Sequence, residues 1–116
     1  MPEMHNPLLF IHLIAILIPD LPVFTVVPSN ITVDEGSSAT LSCRASGADE
    51  PQITWMVEDS HGMVSNIVPT ANIQVDARGD LTYASVKSDN RGIHTCKACN
   101  AAGCKSVEAF LNVLCK

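Results

Sequence analysis

Cys43, Cys96, Cys99, Cys104 and Cys115 are the residues of this 116-residue chain best equipped for chemistry. Thiols pair as disulfides, ligate zinc or exchange as dithiols. Cys96-Lys97-Ala98-Cys99 is a C-x-x-C. With Cys104 and Cys115 it offers four zinc ligands, with His94 nearby, and alone it offers a thioredoxin-like dithiol. Strand geometry opposes both readings. In GIHTCKACN the side chains of His94, Cys96 and Ala98 share a face, so Cys99 points to the other. No βαβ pattern surrounds the pair. Five cysteines in so short a chain imply an oxidising compartment. Five is odd, and Cys115, past the last core residue Val113, is left over.

Two further motifs carry chemistry. Arg78-Gly79-Asp80 is the tripeptide that many integrins read. Its Asp would complete a divalent-metal site on the integrin and its Arg would meet acidic residues, provided both protrude on a tight turn. Asn30-Ile31-Thr32 is an N-glycosylation sequon on an early edge strand. No nucleophile, base and acid converge, and the glycines are scattered one per turn rather than gathered into a phosphate loop. We therefore expect no enzyme, no cofactor, no metal and no small-molecule substrate.

The elements that must position these residues are short strands. In ATLSCRAS, Ala39, Leu41, Cys43 and Ala45 alternate with polar residues, and in QITWMV the side chains of Ile53, Trp55 and Val57 share a face. The order reads A and A′ split at Pro28, B (39–46), C (52–58), a vague C′ near Ile67, D (72–75), E (80–86), F (93–100) and G (104–113). Gly47 to Pro51, Asp59 to Gly62, Arg78-Gly79 and Asn100 to Gly103 supply the turns. A formal charge of −5 argues against nucleic acid. The apolar run Leu8–Ile18 is too short to span a bilayer, which takes about 20 residues. Its length suits a signal peptide, although Glu3 and His5 precede it and no A-x-A site follows. The other readings are an uncleaved hydrophobic tail and a stretch that is not part of the natural mature protein. Residues 1–22 are thus read as a hydrophobic N-terminal segment and linker, and 23–114 as the domain.

The Cys43…Trp55…Cys96 spacing, followed by GDLTYASVKSDNRGIHTCKACNAAG, resembles the immunoglobulin fold. That segment is similar to the intermediate-set (I-set) pattern G-x-L-x-I-x-x-V…D-x-G-x-Y-x-C-x-A-x-N-x-x-G. The resemblance covers residues 23–113. It implies an all-β, two-sheet Greek-key β-sandwich with a Cys43–Cys96 bridge between sheets and Trp55 against it. Leu41, Leu81, Leu111 and His94 would fill the core. Cys99 and Cys104 flank the F–G turn, close enough for a second bridge. Gly79 and Leu81 already satisfy the family's G-x-L, which leaves only Arg78 and Asp80 to an integrin reading. His94 stands where the family has Tyr, and no Arg precedes strand D to pair with Asp89.

The resemblance implies an extracellular protein-binding or cell-adhesion module, secreted or at the cell surface, one domain of a larger protein. Its partners would be cell-surface or matrix proteins, homophilic ones included. A structural spacer in a tandem array, matrix or intracellular muscle type, is the alternative. So is an accessory domain of a receptor kinase or matrix enzyme. Candidate contact residues are Asn100 in the F–G loop and Phe110, which alternates out of phase with Val107, Ala109, Leu111 and Val113.

Overall fold

The computed structural model describes residues 20–115, and the apolar run 8–18 with its signal-peptide reading lies outside them. No helix of the described residues is long and apolar enough to cross a membrane. The strands are β1 (Val23–Val26), β2 (Ile31–Asp34), β3 (Ala39–Leu41), β4 (Arg44–Ser46), β5 (Gln52–Glu58), β6 (Val64–Asn66), β7 (Ile73–Val75), β8 (Leu81–Tyr83), β9 (Gly92–Asn100) and β10 (Gly103–Leu114). A single 3₁₀ turn, Ser88–Asn90, precedes β9 among the described residues.

One layer is a five-stranded sheet in the order β2-β10-β9-β5-β6. The other holds β3-β8-β7, and the β1-β4 pair extends it along the chain. The first strand changes layers at Pro28, which has no N–H to give a ladder. Before it, β1 runs antiparallel to β4; after it, β2 runs parallel to β10. This switch sets Ile31 opposite Leu111 and Val33 opposite Val113, so apolar side chains meet at the edge of the core. The fold is an all-β immunoglobulin-like sandwich.

Strand B, expected as one piece over 39–46, is two. β3 pairs with β8 and β4 with β1, and the chain crosses between partners at Ser42-Cys43. The Cys43 N–H finds no backbone acceptor there; it donates to Oδ1 of Asp80 at 3.3 Å. Period-2 burial survives the break, because Ala39, Leu41 and Cys43 are all buried. The C′ strand lies just before Ile67, at Val64–Asn66, and Ile67 N–H continues the ladder to Trp55 O at 2.9 Å. Leu41, Cys43, Trp55, Leu81, Tyr83, Val86, Cys96, Leu111 and their neighbours form one apolar cluster between the layers.

Candidate binding surface and the residues that hold it

Cys43 and Cys96 are fully buried, with sulfurs 2.06 Å apart and Cα atoms 6.6 Å apart. Trp55, cross-strand to Cys96, seals the bridge. Its indole Nε1–H donates to Gly79 O at 2.8 Å, so the ring is fixed at both ends. Gly79 has φ +110°, and a Cβ there would lie 2.7 Å from Cys43 O and 2.8 Å from Ile53 Cγ1. Only glycine fits this close approach of turn and core.

Beside it, Asp80 is 7% exposed. Its Oδ1 accepts from Cys43 N–H, and its Oδ2 takes the Arg44 guanidinium at 3.0 Å, with Arg78 farther off at 3.8 Å. This placement counts against the integrin reading of Arg78-Gly79-Asp80. The motif needs a carboxylate free to reach a metal on another protein, and this one is committed inward to the strand crossover. Arg78 alone protrudes. The turn is built by Asp76, whose Oδ1 accepts from the N–H groups of Arg78, Gly79 and Asp80. Those bonds, that from Asp80 foremost, hold the Asp76 carboxyl below its ordinary range.

His94 is fully buried on β9. Its Nδ1 lies 3.1 Å from Gly92 O and its Nε2 lies 2.8 Å from Tyr83 Oη. A carbonyl only accepts, so Nδ1 carries the proton, Nε2 accepts, and the Tyr83 phenol donates. The rings meet edge to face, centroids 5.8 Å apart. Burial pushes His94 below its ordinary value and Tyr83 up to about 12. Tyr83 is the core residue that motif reading passed over. The signal was present: Tyr83 occupies the Ile position of G-x-L-x-I, so this chain departs from the pattern twice, at two positions that touch.

The F–G hairpin pairs Cys99 with Cys104 directly across β9 and β10, sulfurs 2.09 Å apart. Cys96, Cys99 and Cys104 are thus all oxidised, and no cluster of ligands that could hold a metal ion occurs among the described residues. Cys115 is an exposed free thiol. Asn100, named above as a contact residue, is spent internally. Its Nδ2 donates to Asp20 O at 2.7 Å and Asp49 O at 3.2 Å, and its Oδ1 accepts from Ala102 N–H. Asp49 Oδ2 accepts from Ala101 N–H in return. Asn100 therefore ties the hairpin tip to the B–C loop and to the segment entering β1, and offers a partner little.

The outer face of the five-stranded sheet follows from register. Trp55, Cys96 and His94 point inward, so Met56, Glu58, Ile93, Thr95, Glu108 and Phe110 point outward. One row runs Val64, Glu58, Ile93, Phe110 across four strands, and Met56 and Thr95 lie in the next. Phe110 is 37% exposed and Val64 57%. The Arg91 guanidinium sits 5.9 Å from the centre of the Phe110 ring, a cation–π contact. Glu58, Ser60, Arg91, Ile93 and Phe110 line a shallow groove here. Along the row Val64, Ile93 and Phe110 are apolar and Glu58 is acidic, with the basic Arg91 beside Phe110.

Against known proteins, the immunoglobulin I-set domain matches residues 22–113. The chain belongs to the I-set immunoglobulin family. It is 33% identical over 93 residues to protein sidekick of Drosophila melanogaster, covering 80% of this chain and 4% of that protein. It is 28% identical over 103 residues to the neuronal cell adhesion molecule of Rattus norvegicus, covering 89% of this chain and 8% of that one. The I-set domain thus spans less than a tenth of either relative. Among solved structures, a titin and obscurin-like 1 Ig complex matches with a TM-score of 0.71 at 26% identity, over 82% of this chain and 95% of that one.

Proposed function

We propose that this I-set domain is an extracellular protein-binding module of a larger multidomain protein, and that it meets partners through the outer face of its five-stranded sheet. The observation that carries the reading is the Val64–Glu58–Ile93–Phe110 row, exposed at Val64 and Phe110 and half-buried at Ile93, with Arg91 stacked at its end. Phe110 has the character of an interface anchor, a ring available to a partner and already braced by a cation. The two disulfides fit a domain made in an oxidising compartment. Relationship to a neuronal cell adhesion molecule points the same way. The test is multivalent display. Beads carrying the chain are applied to cell surfaces and to each other, with Phe110→Ala and Met56→Glu as variants. Binding falls at least about tenfold, as expected of a hot spot, while the unfolding midpoint barely moves. No binding, or binding indifferent to both changes, overturns the reading.

The spacer reading draws on the likeness to a titin-containing complex. Asn100 supports it too, since its clamp on Asp20 fixes how the chain enters the domain. A spacer would show no capture in the bead assay.

A further inference from the structure

Asn30-Ile31-Thr32 is the one N-x-Ser/Thr sequence in the chain. Asn30 is exposed and immediately precedes β2, an outer strand of the five-stranded sheet. Its Oδ1 accepts from Phe110 N–H at 2.8 Å. No described residue takes a hydrogen bond from its Nδ2, so the amide is half used: the oxygen holds β10 and the nitrogen is free. Thr32 is exposed, and its Oγ1 has only a long contact, 3.5 Å, to Asn112 Nδ2.

We propose that Asn30 carries an N-linked glycan that bounds the binding face on its β2 side. The proposal rests on the extracellular reading above. In the modification, Nδ2 bonds to the anomeric carbon of a sugar delivered as a lipid-diphosphate-linked oligosaccharide. The bond from that carbon to the diphosphate breaks, the diphosphate leaves with the electron pair, and the amide gives up one proton. The product is still an amide, so Oδ1 keeps its bond to Phe110 N–H and the fold needs no adjustment. Glycosylation at Nδ2 thus uses the one polar atom of the side chain that the fold leaves over.

The position has a consequence for recognition. The Asn30 side chain reaches the backbone of Phe110, so a glycan there is rooted one side chain away from the exposed ring. It stands beside an unpaired strand edge, where a bulky hydrophilic group opposes edge-to-edge pairing. A partner then reaches Phe110 from the β9 and β5 side of the face, with the glycan standing at its β2 border.

The experiment expresses the full 116-residue chain behind a secretory leader in insect cells and reads both secreted and retained pools by intact mass and peptide mapping. The wild-type chain carries sugar on Asn30, and peptide N-glycosidase removes it and leaves a carboxylate at that position. Asn30→Gln and Thr32→Ala lack the sugar, and Thr32→Ser keeps it. The Asn30→Gln chain shifts toward self-associated species on size exclusion. A translocated chain with its Cys43–Cys96 bridge formed and Asn30 unmodified overturns the site. A sugar-free variant that stays monodisperse overturns the shielding role. The bead assay does not require sugar on Asn30, so the functional reading and this one can fail separately.

Discussion

The phenol of Tyr83 donates to Nε2 of His94 at 2.8 Å in the middle of the core, and both side chains are buried. The pair replaces an apolar residue and a tyrosine that the I-set pattern places at these positions. Each change alone leaves a polar atom stranded or a ring crowded. Tyr83→Ile strands Nε2 of His94, at a cost of about 1–3 kcal/mol. His94→Tyr drives a second phenol against the first and overpacks the site by a similar amount. The double variant restores the family arrangement and recovers much of both losses, a coupling of about 1–3 kcal/mol. Denaturant midpoints followed by the fluorescence of Trp55, the one tryptophan, measure the cycle. Strictly additive losses would show that the pair is not a unit.

Titration reads the same pair from both sides. His94 has a depressed value in the folded chain, so the unfolded chain takes up its proton first. Its contribution to stability is complete above the unfolded value near 6.5 and is lost as pH falls from there toward the folded value. Unfolding midpoints therefore drop on acidification across that window, and less steeply in the double variant, which has no histidine at 94. Tyr83 runs the opposite way. Raised to about 12, it contributes below the ordinary value of 10 and loses that contribution as pH rises through 12. As the chain has one tyrosine, ultraviolet titration of the folded chain has a single phenolate midpoint, near 12 rather than 10.

Asp80 is a structural acid at the crossover of strand B, and its variants separate structure from recognition. Asp80→Asn keeps a carbonyl for Cys43 N–H but loses the charge that pairs with Arg44, for a loss of about 1–3 kcal/mol. Arg78→Ala, at an exposed side chain, changes stability by less than about 0.5 kcal/mol. Gly79→Ala costs more than about 2 kcal/mol, because its Cβ meets the Cys43 carbonyl and φ is positive. Asp80→Glu leaves any cell attachment by the chain unaltered. Attachment that tracked residue 80, with the fold intact, would restore the integrin reading.

What the sequence made legible follows from periodicity and what it hid follows from partners. Alternation in ATLSC and in GIHTCKACN is a local property, and it placed Leu41, Cys43, His94 and Cys96 on inward faces. The split of strand B was hidden because it depends on which neighbour each half finds, and the Cys43 N–H that marks it is taken by a side chain 37 residues away. Asp80 and Asn100 read as exposed loop residues because polarity alone does not reveal an inward hydrogen bond. Asp80 fastens its turn to the strand B crossover and Asn100 fastens the hairpin tip to two neighbouring segments. Phe110 was legible as outward from phase alone, whereas Arg91 above it comes from a different strand junction and could be found only in three dimensions.

The thiols divide into three environments, and their reactivity should be staged accordingly. Cys115 is exposed and unpaired, so the oxidised native chain gives one thiol with a soluble aromatic disulfide reagent. Cys104 is exposed and Cys99 half-buried at the hairpin tip, whereas Cys43 and Cys96 are fully buried against Trp55. Thiolate attack needs access to sulfur, so mild reductant opens the Cys99–Cys104 bridge first and the count rises from one to three. Only denaturation brings it to five. The bridges also differ in weight. In the chain-entropy account, closing the loop between residues 53 apart contributes about 4 kcal/mol, and the loop between residues 5 apart about 2 kcal/mol. The Cys99→Ser, Cys104→Ser double variant therefore keeps the sandwich, with Asn100 still bound to Asp20 and Asp49, and loses about 2 kcal/mol. Cys43→Ala, Cys96→Ala loses more and leaves Trp55 without its packing partner. Five free thiols counted after denaturation without reductant, in a chain drawn from its natural compartment, would place the domain in a reducing environment and remove the oxidising premise on which the extracellular reading stands.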